Sequence, residues 1–300
     1  MHILLFGKNG QLGYELNRSL LPLGKISAFD KEDLDLSNLA AVENAILSLR
    51  PDIIINASAY TAVDRAENEP ELAFQINAYA PEIMAKSANK IGAALIHFST
   101  DYVFDGTKNS LYTETDQPNP INVYGKSKLL GENLVIENLQ ATLVLRTSWV
   151  YGLSQESFAQ KVLKWSRQQK TLQIVDDQVG SPTWARQLAE TTMALLAQSR
   201  GDLINYISKR KGVYHLAGKG KSSRIEFARQ VLQFDPKKAE QVYENLAPAR
   251  TADFPTPAKR PLFTALDCSL FENTFELSIP DWQHSLQLAI TAISIPPLVG

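Results

Sequence analysis

The segment Ile3-Leu4-Leu5-Phe6-Gly7-Lys8-Asn9-Gly10-Gln11-Leu12-Gly13 constrains this chain more than any other. A short apolar run ends in glycines three residues apart, and the helix-compatible stretch Gln11–Leu21 follows. An apolar run of this length suits a strand covered on both faces. Gly7 permits a tight strand-to-helix turn, Gly10 lets the backbone approach a pyrophosphate, and Gly13 lets the helix pack close to the strand. The phosphate charge would then rest on free amides at the helix N-terminus. G-x-x-G-x-x-G alone occurs often by chance; its place between a strand and a helix makes it informative.

The pattern continues through the first half. Strands are expected at His2–Phe6, Ile26–Phe29, Ile53–Asn56, Leu95–Ser99 and Thr142–Arg146. Helices are expected at Gln11–Leu21, Leu39–Leu49, Pro70–Ile91 and Tyr124–Asn138. Apolar strands alternating with helices imply an α/β chain of Rossmann type, a doubly wound parallel sheet with ligands at the carboxyl ends of its strands. The second half is less regular. It suggests helices at Phe158–Arg167, Ala185–Gln198, Ser223–Leu232 and Ser285–Ala292, strands at Leu172–Val175 and Val213–Leu216, and a frayed tail after Pro296-Pro297. The expected division is a dinucleotide-binding domain over 1–150 and a smaller C-terminal α/β substrate part over 151–300, with segments near 170–200 returning to the first.

Composition excludes several classes of function. The net charge is -2 over 300 residues, and the one basic cluster, Lys209-Arg210-Lys211, is short, so no nucleic-acid partner is expected. Cys268 is the single cysteine, which rules out an internal disulfide and fits a reducing compartment. Ile3–Phe6 is too short to span a bilayer, and no basic segment with a long apolar stretch opens the chain. A soluble cytoplasmic protein is expected, with no membrane partner.

A second motif supplies chemistry. Tyr124-Gly125-Lys126-Ser127-Lys128 places a phenol and an amine four residues apart, on one face of a helix, and Ser99-Thr100 ends an upstream apolar run. Reducing a carbonyl takes a hydride on carbon and a proton on oxygen, and a nicotinamide cofactor supplies the first. Tyr124 can give the second, with Lys128 as the ammonium that lowers a phenol pKa of about 10. Lys128 can also donate to the nicotinamide ribose, and Thr100 can polarise the carbonyl. Asp30, closing the second strand, is placed for the adenosine ribose and favours NADH, while Lys31 beside it can accept a 2′-phosphate; NADPH and NADH both remain open. Asp35-Leu36 could flank the adenine, and Ala59-Tyr60-Thr61 can line the same cleft.

These residues resemble the extended short-chain dehydrogenase/reductase family. The resemblance runs through Gly7–Gly13, Arg50–Asn56, Ala59–Glu67, Ser99–Phe104, Asn122–Glu132, Arg146–Tyr151, Asp177–Thr183 and Gly212–Gly218, nearly the whole chain. It implies an NAD(P)H-dependent enzyme reducing the C4 ketone of a dTDP-sugar. Tyr124, Lys128 and Thr100 would be catalytic. Gly7, Gly10, Gln11, Leu12, Gly13, Asp30, Asp35, Leu36, Ala59, Tyr60 and Thr61 would bind the cofactor with Tyr124 and Lys128. Val63, Asp64, Thr100, Asp101, Trp149 and Arg260 would face the substrate. The resemblance also associates some members with Mg2+, held by glutamates at a dimer contact. Glu15 is present, but Arg186 and Gln283 stand where the other glutamates would be, so a monomer or a different homodimer is expected. A reductase of another 4-keto-6-deoxy nucleotide sugar would share this chemistry. A non-catalytic regulatory subunit would share only the fold, and the intact Tyr124, Lys128 and Thr100 speak against it.

Overall fold

Apolar residues on alternate sides of each strand need cover above and below, and the chain provides it. In the computed structural model, which describes residues 1–152, 156–199 and 201–292, six parallel strands form the central sheet. They are β1 (His2–Phe6), β2 (Lys25–Phe29), β3 (Ile53–Asn56), β4 (Ala94–Thr100), β5 (Thr142–Thr147) and Gly212–His215. Their order across the sheet is Gly212–His215, β5, β4, β3, β1, β2. The period of two divides the core. Ile3, Leu5, Ile53, Ile55, Ile96, Leu143 and Leu145 pack on one face with Leu12 and Leu16 of α1 (Gln11–Ser19) and with Leu188 of helix Ala185–Ala197. Leu4, Ile54, Leu95 and Val144 pack on the other with Val42 and Ile46 of α2 (Leu39–Leu49), with Met84 and Ala88, and with Val135 of helix Val123–Asn138. The Rossmann-type sheet expected from the sequence is present. The β1, β3 and α2 bounds are those expected, and the other ends in the first half move by one or two residues.

The chain crosses between the sheet and the second part more than once. Helix Ala185–Ala197 lies on α1, and the sixth strand comes from Gly212–His215 beside β5. A separate core gathers Tyr151, Val162, Leu172, Ile174, Phe227, Val231, Trp282 and Leu286. There the strand Thr171–Val175 pairs in parallel with Asn245–Ala249, a strand that the prolines around it hid from the sequence pattern. Short helices at Val63–Ala66, Leu203–Ser208 and Ser269–Phe275 were likewise unexpected. The expected frayed tail at Pro296-Pro297 lies outside the described residues. Among the described residues no helix is long and apolar enough to cross a membrane.

The structure corrects one element. The single helix expected over Pro70–Ile91 is broken into Pro70–Phe74, a π-helical turn at Gln75–Tyr79, and Ala80–Ile91. Pro81 has no N–H to donate to the Asn77 carbonyl four residues back, and the wider turn absorbs the loss. The turn aims Asn77 inward, where its Nδ2 donates to Tyr60 O and Ser127 Oγ and its Oδ1 accepts from Tyr60 N. It also brings Asn77 O against Gly131, where an added Cβ would stand only 2.1 Å away. Gly131→Ala therefore forces the Val123–Asn138 helix away from this turn. The expected cost is about 1–3 kcal/mol, read as a lower urea midpoint at unchanged slope.

Candidate active site

The sheet reverses its strand order between β1 and β3, and a deep cleft opens above that point, as parallel sheets require. It holds about 900 Å³ and is lined by the glycine loop, the ends of β2, β3, β4 and β5, and helix Val123–Asn138. Gly7 has φ +90, and an added Cβ at Gly13 would meet Gly7 O at 1.8 Å, so the loop and helix need both glycines. Gly10 precedes α1 and has no side chain to cap it, so the first-turn amides are left for a ligand. Gln11 Oε1 and Thr147 Oγ1, buried among the cleft-lining residues, have no partner among the described residues. An anion-seeking helix end and two orphaned polar atoms fit a dinucleotide.

The loop is braced from β2. Asp30 accepts from Asn9 N at 2.8 Å and from Lys31 N at 2.7 Å. Asp33 takes Asp30 N at 2.9 Å and pairs with Lys8 at 2.7 Å. Asp35 bonds Ser37 N, which lowers its pKa, and Leu36 is buried beside it. The Asn77 bonds hold the Ala59–Thr61 segment, and the Tyr60 hydroxyl donates to Glu69.

At the end of β4 the chemistry converges. Asn122 caps helix Val123–Asn138 by accepting from Gly125 N, and Tyr124 sits in its first turn. Tyr102 meets the Tyr124 ring edge-on at 5.6 Å. Burial raises the Tyr124 pKa, the Thr100 hydroxyl opposes, and Asp101 and Tyr102 add to the rise. The expected lowering by Lys128 is not found. Lys128 Nζ turns to the β4 backbone, donating to Phe98 O at 2.7 Å, and lies 3.3 Å from His97 Nε2. The consequence favours a proton donor all the same, because a raised pKa keeps Tyr124 in its phenol form. Burial brings Lys128 down to about 8, against the pull of Glu132. Glu132 is itself bound by Arg146 Nη2 at 2.7 Å and by Ser99 Oγ at 2.5 Å.

Asp101 is buried and faces hydroxyls: Thr100 at 3.1 Å, Ser148 at 2.9 Å and Thr264 at 2.5 Å. Burial raises its pKa against those bonds. Trp149 has φ +44, and the Arg224 guanidinium lies 3.6 Å from its ring centroid. The cleft thus gathers Gly7, Gly10, Gln11, Leu12, Asp30, Asp35, Leu36, Ala59, Tyr60, Thr61, Val63, Thr100, Asp101, Tyr124, Lys128 and Trp149. It does not gather Gly13, Asp64 or Arg260 as lining residues. Gly13 is packed under the loop, and Arg260 Nη2 pairs with Asp64 at 2.6 Å, beside Tyr102. Sequence reasoning missed Thr147, Asn9 and Arg224. Only Arg224 left a signal: a cation in the first turn of its helix opposes the helix dipole and needs another reason to be there.

A family model described as "RmlD substrate binding domain" matches residues 1–295. The chain belongs to this family. The dTDP-4-dehydrorhamnose reductase of Escherichia coli K12 is 42% identical, covering 94% of this chain and 95% of its own. Among solved structures, the dTDP-4-dehydrorhamnose reductase of Clostridium acetobutylicum is 33% identical with a TM-score of 0.89, covering 98% of this chain and 100% of its own. That of Bacillus anthracis, solved in complex with NADP, is 34% identical with a TM-score of 0.85, covering 97% and 99%.

Magnesium does not suit the RmlD-family residues present here. Arg186 Nε lies 2.7 Å from Glu190 and is drawn by Glu15 as well, so a guanidinium already balances these carboxylates. Among the described residues no three His, Cys, Asp or Glu side chains come together as a metal site.

Removing one partner of the buried Glu132–Arg146 pair leaves an uncompensated charge. Glu132→Gln is expected to cost about 3–5 kcal/mol, measured by urea denaturation, whereas Glu190→Gln at the exposed Arg186 pair should cost under about 1 kcal/mol.

Proposed function

We propose that this chain reduces the C4 ketone of dTDP-4-dehydro-L-rhamnose with NADPH or NADH and yields dTDP-L-rhamnose. The observation that carries the reading is the meeting of Tyr124, Thr100 and Lys128 at the carboxyl end of β4, in the cleft that also holds the glycine loop. The relatives' names supply the substrate. The bound dinucleotide would supply the hydride that reaches C4. Gly10, Gln11 and Leu12 would hold its pyrophosphate on the first-turn amides, Asp30 and Lys31 would meet the adenosine ribose, and Gln11 Oε1 and Thr147 Oγ1 offer unused bonds.

Thr100 would orient the ketone. As hydride adds to C4, the carbonyl electron pair moves to oxygen, and Tyr124 would give that oxygen its proton. The buried phenol suits the task because its raised pKa keeps the proton available until it is needed. Lys128 would bind the nicotinamide ribose and offset the phenolate formed on Tyr124. Asp101, held by three hydroxyls, would support Thr100 while the sugar stands against Trp149 and Val63. Arg260 and Asp64 would reach the substrate from the rim. A monomer or homodimer is consistent with this site, since every residue invoked comes from one chain. The single buried cysteine and the reduced cofactor fit the cytoplasm.

Tyr124→Phe should lower kcat by about 10²–10⁴ while the NADPH dissociation constant stays within about threefold. Both are read by loss of cofactor absorbance with the ketone generated in situ and by fluorescence titration, and product NMR fixes the sugar. Retained turnover in Tyr124→Phe would remove the acid assignment. For the native protein, kcat/KM for reduction should fall as pH rises through about 8, where Lys128 loses its charge, and hold steady below it until carboxylates protonate.

A further inference from the structure

His97 lies beneath the site on β4, fully buried, in a role that neither the fold nor the proposed reaction requires. Its hydrogen bonds decide which ring nitrogen carries a proton. Ser58 N donates to Asn56 Oδ1 at 3.1 Å, so the oxygen of that amide is fixed by a backbone donor. Asn56 must then turn its Nδ2 to His97 Nδ1, 3.0 Å away. Nδ1 therefore accepts. Burial and the adjacent Lys128 lower the His97 pKa and keep the ring neutral, so its one proton is on Nε2. That N–H faces Lys128 Nζ at 3.3 Å. An ammonium has three donors and no acceptor, so in the charged form two donors confront each other. In the amine form the Nζ lone pair accepts from Nε2–H while Nζ still donates to Phe98 O.

We propose that His97, oriented through Asn56 and Ser58, is a positioning residue that stabilises the uncharged form of Lys128 and so loosens the lysine's hold on its third proton. The other groups around that amine act differently. Glu132, one turn along the same helix, favours the ammonium, but its charge is shared with Arg146 of β5 and Ser99 of β4. Tyr124, one turn back, is held as the neutral phenol, and Asp101 spends its oxygens on Thr100, Ser148 and Thr264. Among the described residues, His97 is the one donor aimed at the amine nitrogen. For the reduction proposed above, on which this reading rests, a loosely held lysine proton is useful. Once Tyr124 has protonated the product oxygen, a proton must return to it, and the amine left on Lys128 finds a hydrogen bond waiting.

Two measurements test this. The chain has four histidines, and ¹⁵N-histidine labelling with His97→Gln for assignment reads the ring tautomer directly. The expected result is protonated Nε2 and bare Nδ1 at pH 7; a proton on Nδ1 would overturn the proposal. This readout needs no substrate, so it stands or falls separately from the proposed reaction. In His97→Gln the new amide can turn its oxygen to Lys128. The alkaline limb of kcat/KM should then move up by about one pH unit, a tenfold tighter hold on the proton, with kcat falling and the KM for NADPH little changed. A folded His97→Gln whose limb stays in place would also sink it, because a residue that only fills space would not shift the profile.

Discussion

β4 is the strand on which the rest of the molecule leans. It pairs in parallel with β3 on one side and β5 on the other, and its seven residues are all buried. A strand in that position has no freedom to slip, because a one-residue shift would exchange its two faces. It therefore presents His97 and Ser99 to helix Val123–Asn138, where they meet Lys128 and Glu132 one helical turn apart. Its end delivers Thr100 and Asp101 to the cleft. The acid–base machinery is thus an extension of sheet register.

Burial of charge is the second organising constraint. Lys128, Glu132 and Arg146 are each almost without solvent contact. A buried ion costs several kcal/mol unless it is paired and hydrogen-bonded. Glu132 and Arg146 meet that demand with a two-pronged contact, and Ser99 takes up a further lone pair. Among the described residues Lys128 Nζ meets a carbonyl and an imidazole but no carboxylate, and burial lowers its pKa.

What could be read from the sequence follows from how local each signal is. β1, β3 and α2 were legible to the residue because an apolar run or a helical periodicity marks each within a few positions. The glycine loop and the Tyr124–Lys128 spacing were legible for the same reason. The π-helical turn was not, since what makes Asn77 turn inward is Tyr60 and Ser127, far along the chain. The direction of the Tyr124 pKa shift was not legible either. Helical spacing puts Lys128 on the correct face, but only the packed structure reveals that its nitrogen prefers Phe98 O. The pairing of Arg260 with Asp64 was equally hidden, because it depends on a contact spanning almost 200 positions.

The segment from Ala258 to Thr264 is stitched to the first half at several points. Asn122 Nδ2 donates to Lys259 O while Oδ1 of the same side chain caps the Tyr124 helix. Asp64 holds Ala258 N and Arg260, and Thr264 reaches Asp101. Grafting the C-terminal part from a relative to alter sugar choice would therefore transplant half of these seams without their counterparts. A chimaera made at residue 150 would inherit a mismatched cap on the helix that bears the proton donor, whereas exchanging 258–264 together with Asp64, Asp101 and Asn122 would carry the joinery across intact.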